Sequence, residues 1–165
     1  METKPKSSRM YPFIVLYDMH TKFFINSIVD IKDEDAHNRL GTKANHAGWI
    51  AGSLVFQRFD MARELGKSEL KASFDELFKD YKGLQENEKY PSMDEYKKEW
   101  ERISPVLREI YMNISDEKLD EIFDMGEMKM PYYDLVGFMI HRESYMIGQL
   151  GLWRRLLGYP AMKYE

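Results

Sequence analysis

Four long stretches of this chain repeat apolar residues at three- and four-residue spacing, and that repeat restricts the fold more than any other feature. An α-helix places residues three and four apart on one face, so each stretch predicts an amphipathic helix with one side to bury. The first runs from Phe13 to Ile31 through Leu16, Tyr17, Phe23, Phe24 and Ile28. "VDIKDEDAHNRLGTKAN" then breaks the pattern, and Thr42 or Asn45 is positioned to cap a second helix reaching Leu65 and stopping at Gly66. Ser92 followed by Glu95 has capping-box spacing and opens a third helix, with Tyr96, Trp100, Ile103, Leu107 and Ile110 on its stripe and Pro105 expected to bend it. Tyr132 to Leu157 forms the fourth, ended by Gly158 and Pro160. Between the second and third, "SELKASFDELFKDY" reads as a short helix inside an irregular excursion. No run alternates at period two for long enough to predict a sheet. The expected architecture is all-α, a single four-helix-bundle domain over residues 1–165, with no repeat of one segment in another.

Composition narrows the function. With 44% hydrophobic and 32% charged residues the chain is not a disordered one, and no apolar run approaches the roughly 20 residues a membrane span needs. The short apolar patch after the basic N-terminus lacks a small-residue cleavage site, so it reads as mature sequence, and a cytoplasmic location is the default expectation. A net charge of −4 with Lys and Arg dispersed among acids provides no clustered positive footprint, so neither nucleic acid nor membrane is an expected partner. The absence of cysteine excludes disulfides, thiolate ligands and a cysteine nucleophile. There is no Ser-His-acid set at recognisable spacing and no glycine-rich phosphate loop, so no catalytic residue is identifiable.

Two segments carry a more specific message. "NHAGWIAGSLVFQRFDMARELG" and "HRESYMIGQLGLWRRLLG" resemble the second- and fourth-helix signatures of the DinB-like (DinB/YfiT) superfamily, and "IVDIKDEDAHNRLGTKAN" and "NISDEKLDEIF" sit where that superfamily has comparable segments. The resemblance implies a four-helix bundle in which three histidines usually hold a divalent metal that activates a thiol cofactor. One histidine follows the second-helix tryptophan by four residues, and two precede a Gly-Gln pair on the fourth helix. The matching positions here are Ser53, counted from Trp49, and Arg142 and Met146, counted from Gly148 and Gln149. All three histidines are replaced. A guanidinium cannot shed its proton and a thioether is a soft, weak donor, so this set does not suit zinc or nickel, and neither a metal nor another cofactor is expected.

The remaining histidines do not restore the set. His141 is rotated about 100° from Arg142, and His46 lies two turns before Ser53, near the mouth of the bundle. His37 falls in a charged loop and reads as surface. His20 continues the stripe of the first helix and faces inward, as a core-edge histidine bonded to a neighbour or as a pocket residue.

In the register of the resemblance, Arg142, Met146, Gln149 and Trp153 share one face of the fourth helix opposite Ser53 and Trp49. This makes an apolar cavity with a guanidinium, a hydroxyl and an amide, the general composition of a small-ligand pocket. Tyr145 is either a buried aromatic or a hydroxyl at its mouth. A buried guanidinium needs an acceptor. Either Asp60, Asp18 or Glu143 forms an internal ion pair with Arg142, or Arg142 receives the carboxylate or phosphate of a small anionic molecule. The candidate ligand-binding residues are therefore Ser53, Arg142, Met146, Gln149, Trp49, Trp153, His20 and Tyr145. Two other functions stay open: a metal-dependent thiol transferase with an atypical site built from His20, His46, Glu143 or Asp60, and a structural protein working through a homodimer.

Overall fold

The computed structural model describes residues 4–165. It is mainly helical, with four long helices and one small hairpin. Helix α1 (Tyr11–Ile28) begins on Pro12, whose missing N–H costs nothing in a first turn, and buries Ile14, Tyr17, His20, Phe24 and Ile28. Its stripe is offset from the expected one, leaving Leu16 40% exposed and ending the helix three residues before Ile31. A short helix α2 (Asp33–Ala36) follows.

Helix α3 (Ala47–Glu64) is the central element, with nearly every residue from Ala47 to Ala62 buried. The cap is neither Thr42 nor Asn45 but His46, whose Nδ1 accepts the Trp49 backbone N–H at 3.0 Å. An imidazole lone pair thus does the work usually assigned to a hydroxyl or carboxylate. The excursion after Gly66 forms no α-helix; it holds two 3-10 turns, Asp75–Leu77 and Lys79–Tyr81, interrupted by Asp80 at φ 58°. Its Phe74 and Phe78 are nevertheless core residues. Gly52 admits them: a Cβ at this position would stand 2.4 Å from the Phe78 ring and 2.7 Å from that of Tyr96.

Helix α4 (Met93–Asn113) starts as its sequence predicts, with Ser92 Oγ accepting the Glu95 N–H at 3.1 Å, and it continues through Pro105. A short helix α5 (Asp116–Asp120) leads to strands β1 (Ile122–Asp124) and β2 (Lys129–Pro131), paired antiparallel with Phe123 opposite Met130. This hairpin corrects the expectation of no sheet. Each strand has three residues and only Phe123 is buried, too short a run for alternation to show. Helix α6 (Tyr132–Leu156) ends at Gly158, which adopts φ 91°.

The long helices form a ring of neighbours, α1 against α6, α6 against α3, α3 against α4 and α4 against α1. Trp100, Tyr17, Tyr96, Phe24, Phe59 and Leu54 fill the centre. No helix among the described residues is long and apolar enough to cross a membrane.

Candidate functional site

Where α3 faces α6, residues one turn apart on each helix meet. Arg142 donates to Gln57 Oε1 at 2.5 Å and to Ser53 Oγ at 2.8 Å. The Gln57 amide is itself oriented, because its Nε2 donates to the Met139 carbonyl at 3.1 Å and so turns the carbonyl oxygen toward the guanidinium. Both acceptors of Arg142 are neutral. The expected acidic partners are engaged elsewhere: Asp18 with Arg108 at 2.8 Å, Asp60 with Arg63 at 3.1 Å, and Glu143 with Arg58 at 2.7 Å. Among the described residues Arg142 has no carboxylate within ion-pair distance, which corrects the reading of an internal ion pair. Burial lowers its proton affinity, against the opposing influence of Glu143 and Tyr81.

Arg142 opens on a cavity of about 410 Å³. Its walls are aromatic and thioether: Trp49 and Phe56 from α3, Phe78 and Tyr81 from the excursion, Phe138 and Met139 from α6, and Met125 and Met128 from the hairpin turn. Lys82 adds a second cation, its ammonium bonded only to the Glu76 carbonyl at 3.2 Å, and Asp60 the one acid. The Trp49 indole N–H is enclosed, with no acceptor among the described residues.

The sequence-derived residues divide between places. Ser53, Arg142 and Trp49 line the main cavity. Met146, Gln149 and Tyr145 line an adjoining cleft of about 350 Å³ that shares Trp49, Phe138 and Arg142 with it. Tyr145 is 65% exposed, a mouth residue and not a buried aromatic. Trp153 is buried and lines neither space, because one helical turn beyond Gln149 carries it past the open end of the cleft into the core. His20 also lies apart, with Nδ1 3.3 Å from Glu143 Oε2. Gln57, Phe78, Tyr81 and Met128 were not anticipated. Gln57 stands four residues after Ser53 and could have been found from helix spacing; the others arrive through the tertiary fold and leave no local signal.

Arg58 and Glu143 form a second, buried polar group on the inner side of the same helices. Arg58 is fully buried, bonded to both Glu143 oxygens at 2.7 and 2.9 Å, to Thr21 Oγ1 at 2.9 Å and to Ser104 Oγ at 2.7 Å. Its guanidinium lies 3.5 Å from the centre of the Trp100 ring and 3.9 Å from that of Tyr17. Burial alone would raise the Glu143 carboxyl, but the Arg58 charge and the hydrogen bonds from His20 and Arg58 outweigh it and hold the group below the ordinary carboxylate range.

Among the described residues no three His, Cys, Asp or Glu side chains are placed to hold a metal ion. Ser53 and Arg142 are bonded to each other, and a hydroxyl beside a guanidinium does not fit a divalent cation. His20 and His46 do not meet either. His46 packs on His37 and Tyr90 with ring centres 5.1 and 5.2 Å away, at the wall of a charged surface concavity of about 740 Å³. His37 is not a free surface residue, because its Nε2 is enclosed. Burial, with like charge from His37 and Arg39, brings the His46 pKa down to about 4.

The sequence matches no protein-family profile, and no curated protein matches it.

Proposed function

We propose that this chain is a DinB/YfiT-like four-helix bundle that works without a metal and binds a small organic anion, an aromatic carboxylate in the first instance, in the cavity between α3, α6 and the hairpin turn. One observation carries the reading: Arg142 is a largely enclosed guanidinium whose partners among the described residues are both neutral, and it opens on an aromatic and methionine-lined cavity. Two of its five N–H groups are taken by Gln57 and Ser53, which leaves others to form the paired bonds a carboxylate accepts. Lys82 adds positive charge at the rim. The aromatic walls favour a flat apolar body, and about 410 Å³ suits a molecule of one or two rings.

Calorimetry with phenylacetate, indole-3-acetate and their uncharged amides tests this. The acids bind more tightly than the amides, and Arg142→Gln weakens the acids by at least about tenfold while leaving the amides unchanged, the size of one charge-assisted hydrogen bond. Equal binding of acids and amides, or acid binding indifferent to Arg142→Gln, overturns the assignment.

A further inference from the structure

The His20 ring, bonded to Glu143, lies apart from the Arg142 cavity and lines a groove between α1 and α6. Glu143 is held as a carboxylate by Arg58, and an ionised carboxylate only accepts hydrogen bonds, so His20 Nδ1 is the donor of the 3.3 Å contact. In the neutral ring the lone pair then belongs to Nε2. That nitrogen has no protein partner among the described residues, although His20 is only 5% exposed, and the ring lines a groove of about 540 Å³. A nearly buried acceptor is thus fixed in tautomer and orientation, with nothing bonded to it.

The groove around it is built and not incidental. Gly148 and Gly151 form its floor, and the space above Gly148 is open. Leu16, Phe23 and Ile147 give apolar sides. The outer wall is the C-terminal segment, tied down by Asn26, whose amide donates to the Lys163 and Glu165 carbonyls at 2.9 and 3.2 Å, and by the edge-on packing of Tyr164 against Phe23 at 5.3 Å. Arg155 stands at the rim with no acidic partner within ion-pair distance among the described residues. The groove therefore combines the Nε2 acceptor at its base, a cation at its edge and apolar or aromatic surface between them.

We infer that this groove is a second binding site, for an amphipathic phenol whose hydroxyl donates to His20 Nε2 while its apolar body lies along Leu16, Phe23 and Tyr164. The acceptor selects a ligand carrying a proton on oxygen. Arg155 favours an acidic hydroxyl, because it stabilises negative charge developing on that oxygen. The site shares α6 with the Arg142 cavity but none of its lining residues.

The probe pair is 4-hexylphenol and its methyl ether, equal in apolar body but differing in the donated proton, titrated calorimetrically into the full chain. The phenol binds at least about tenfold more tightly than the ether, and the ¹⁵N resonance of the unprotonated His20 nitrogen shifts on adding phenol but not ether. His20→Phe abolishes the preference and retains ether binding; His20→Gln, which keeps a donor toward Glu143, serves if the first variant does not fold. Arg142→Gln changes neither affinity. Phenol and ether binding alike, a preference that survives both His20 variants, or no saturable binding overturns the site. Loss of phenol binding in Arg142→Gln also overturns it by moving the phenol to the other cavity, and the carboxylate assay above stands or falls separately.

Discussion

Two arginines in this protein are withdrawn from water under opposite conditions, and replacing each by methionine separates a structural charge from a functional one. Arg58 is fully buried in a two-pronged bond with Glu143. Removing one partner of a buried ion pair strands the other, at a cost of about 3–5 kcal/mol. For a chain of this length about 1 kcal/mol corresponds to roughly 2–4 °C, so Arg58→Met lowers the melting temperature by about 6–20 °C. Among the described residues Arg142 bonds only to Gln57 and Ser53, two neutral acceptors whose hydrogen bonds contribute about 1 kcal/mol each. Against this stands the cost of withdrawing the charge from water, which lowers its proton affinity and acts in the opposite sense. Methionine at 142 leaves Ser53 and Gln57 facing a cavity that water can enter, so Arg142→Met changes stability by no more than about 1 kcal/mol, or within roughly 4 °C. Thermal unfolding followed by circular dichroism at pH 7, with urea midpoints as a check on two-state behaviour, measures both. If Arg142→Met falls as far as Arg58→Met, Arg142 is a structural group, and the argument that its charge is kept for a ligand fails.

Three further outcomes follow from the same geometry. His46 has its folded pKa depressed from 6.5 to about 4, so between those values the unfolded chain binds a proton that the folded chain does not, and stability falls as pH drops through that window. His46→Asn keeps a capping acceptor and removes the titration, so its urea midpoint drops less than that of the parent between pH 7 and pH 4, by the equivalent of about 1–3 kcal/mol; parallel curves refute this. Gly52→Ala places a methyl against the rings of Phe78 and Tyr96 and lowers stability by about 1–3 kcal/mol in chemical unfolding, whereas a neutral result means the excursion gives way. The combined replacement Ser53→His, Arg142→His and Met146→His creates a folded protein that takes up one zinc or nickel ion per chain by elemental analysis, and failure to do so counts against the DinB/YfiT-like register.

Local physics made much of the helical framework readable in advance. Ser92 and Glu95 announced the start of α4, and Gly158 with Pro160 the end of α6, because caps and breakers act on their own few residues of chain. The register of the resemblance, and not spacing alone, put Ser53 opposite Arg142, and the two are bonded. Spacing failed where the determining partner is distant in sequence. The hairpin strands are too short to carry a period, His46 caps α3 by an imidazole geometry that composition does not signal, and Phe78 is core only because Gly52 leaves it room.

The sequence by itself determined that the Arg142 guanidinium would ride on a long helix with Glu143 as its chain neighbour. Whether the guanidinium would be neutralised was decided by the tertiary structure alone. Arg58 and Arg142 compete for Glu143, which is adjacent to one of them in sequence, and helix rotation turns consecutive residues about 100° apart, so the carboxylate points inward to Arg58 and away from Arg142. Ion pairs depend on a few ångströms in three dimensions, which spacing along a single chain does not encode.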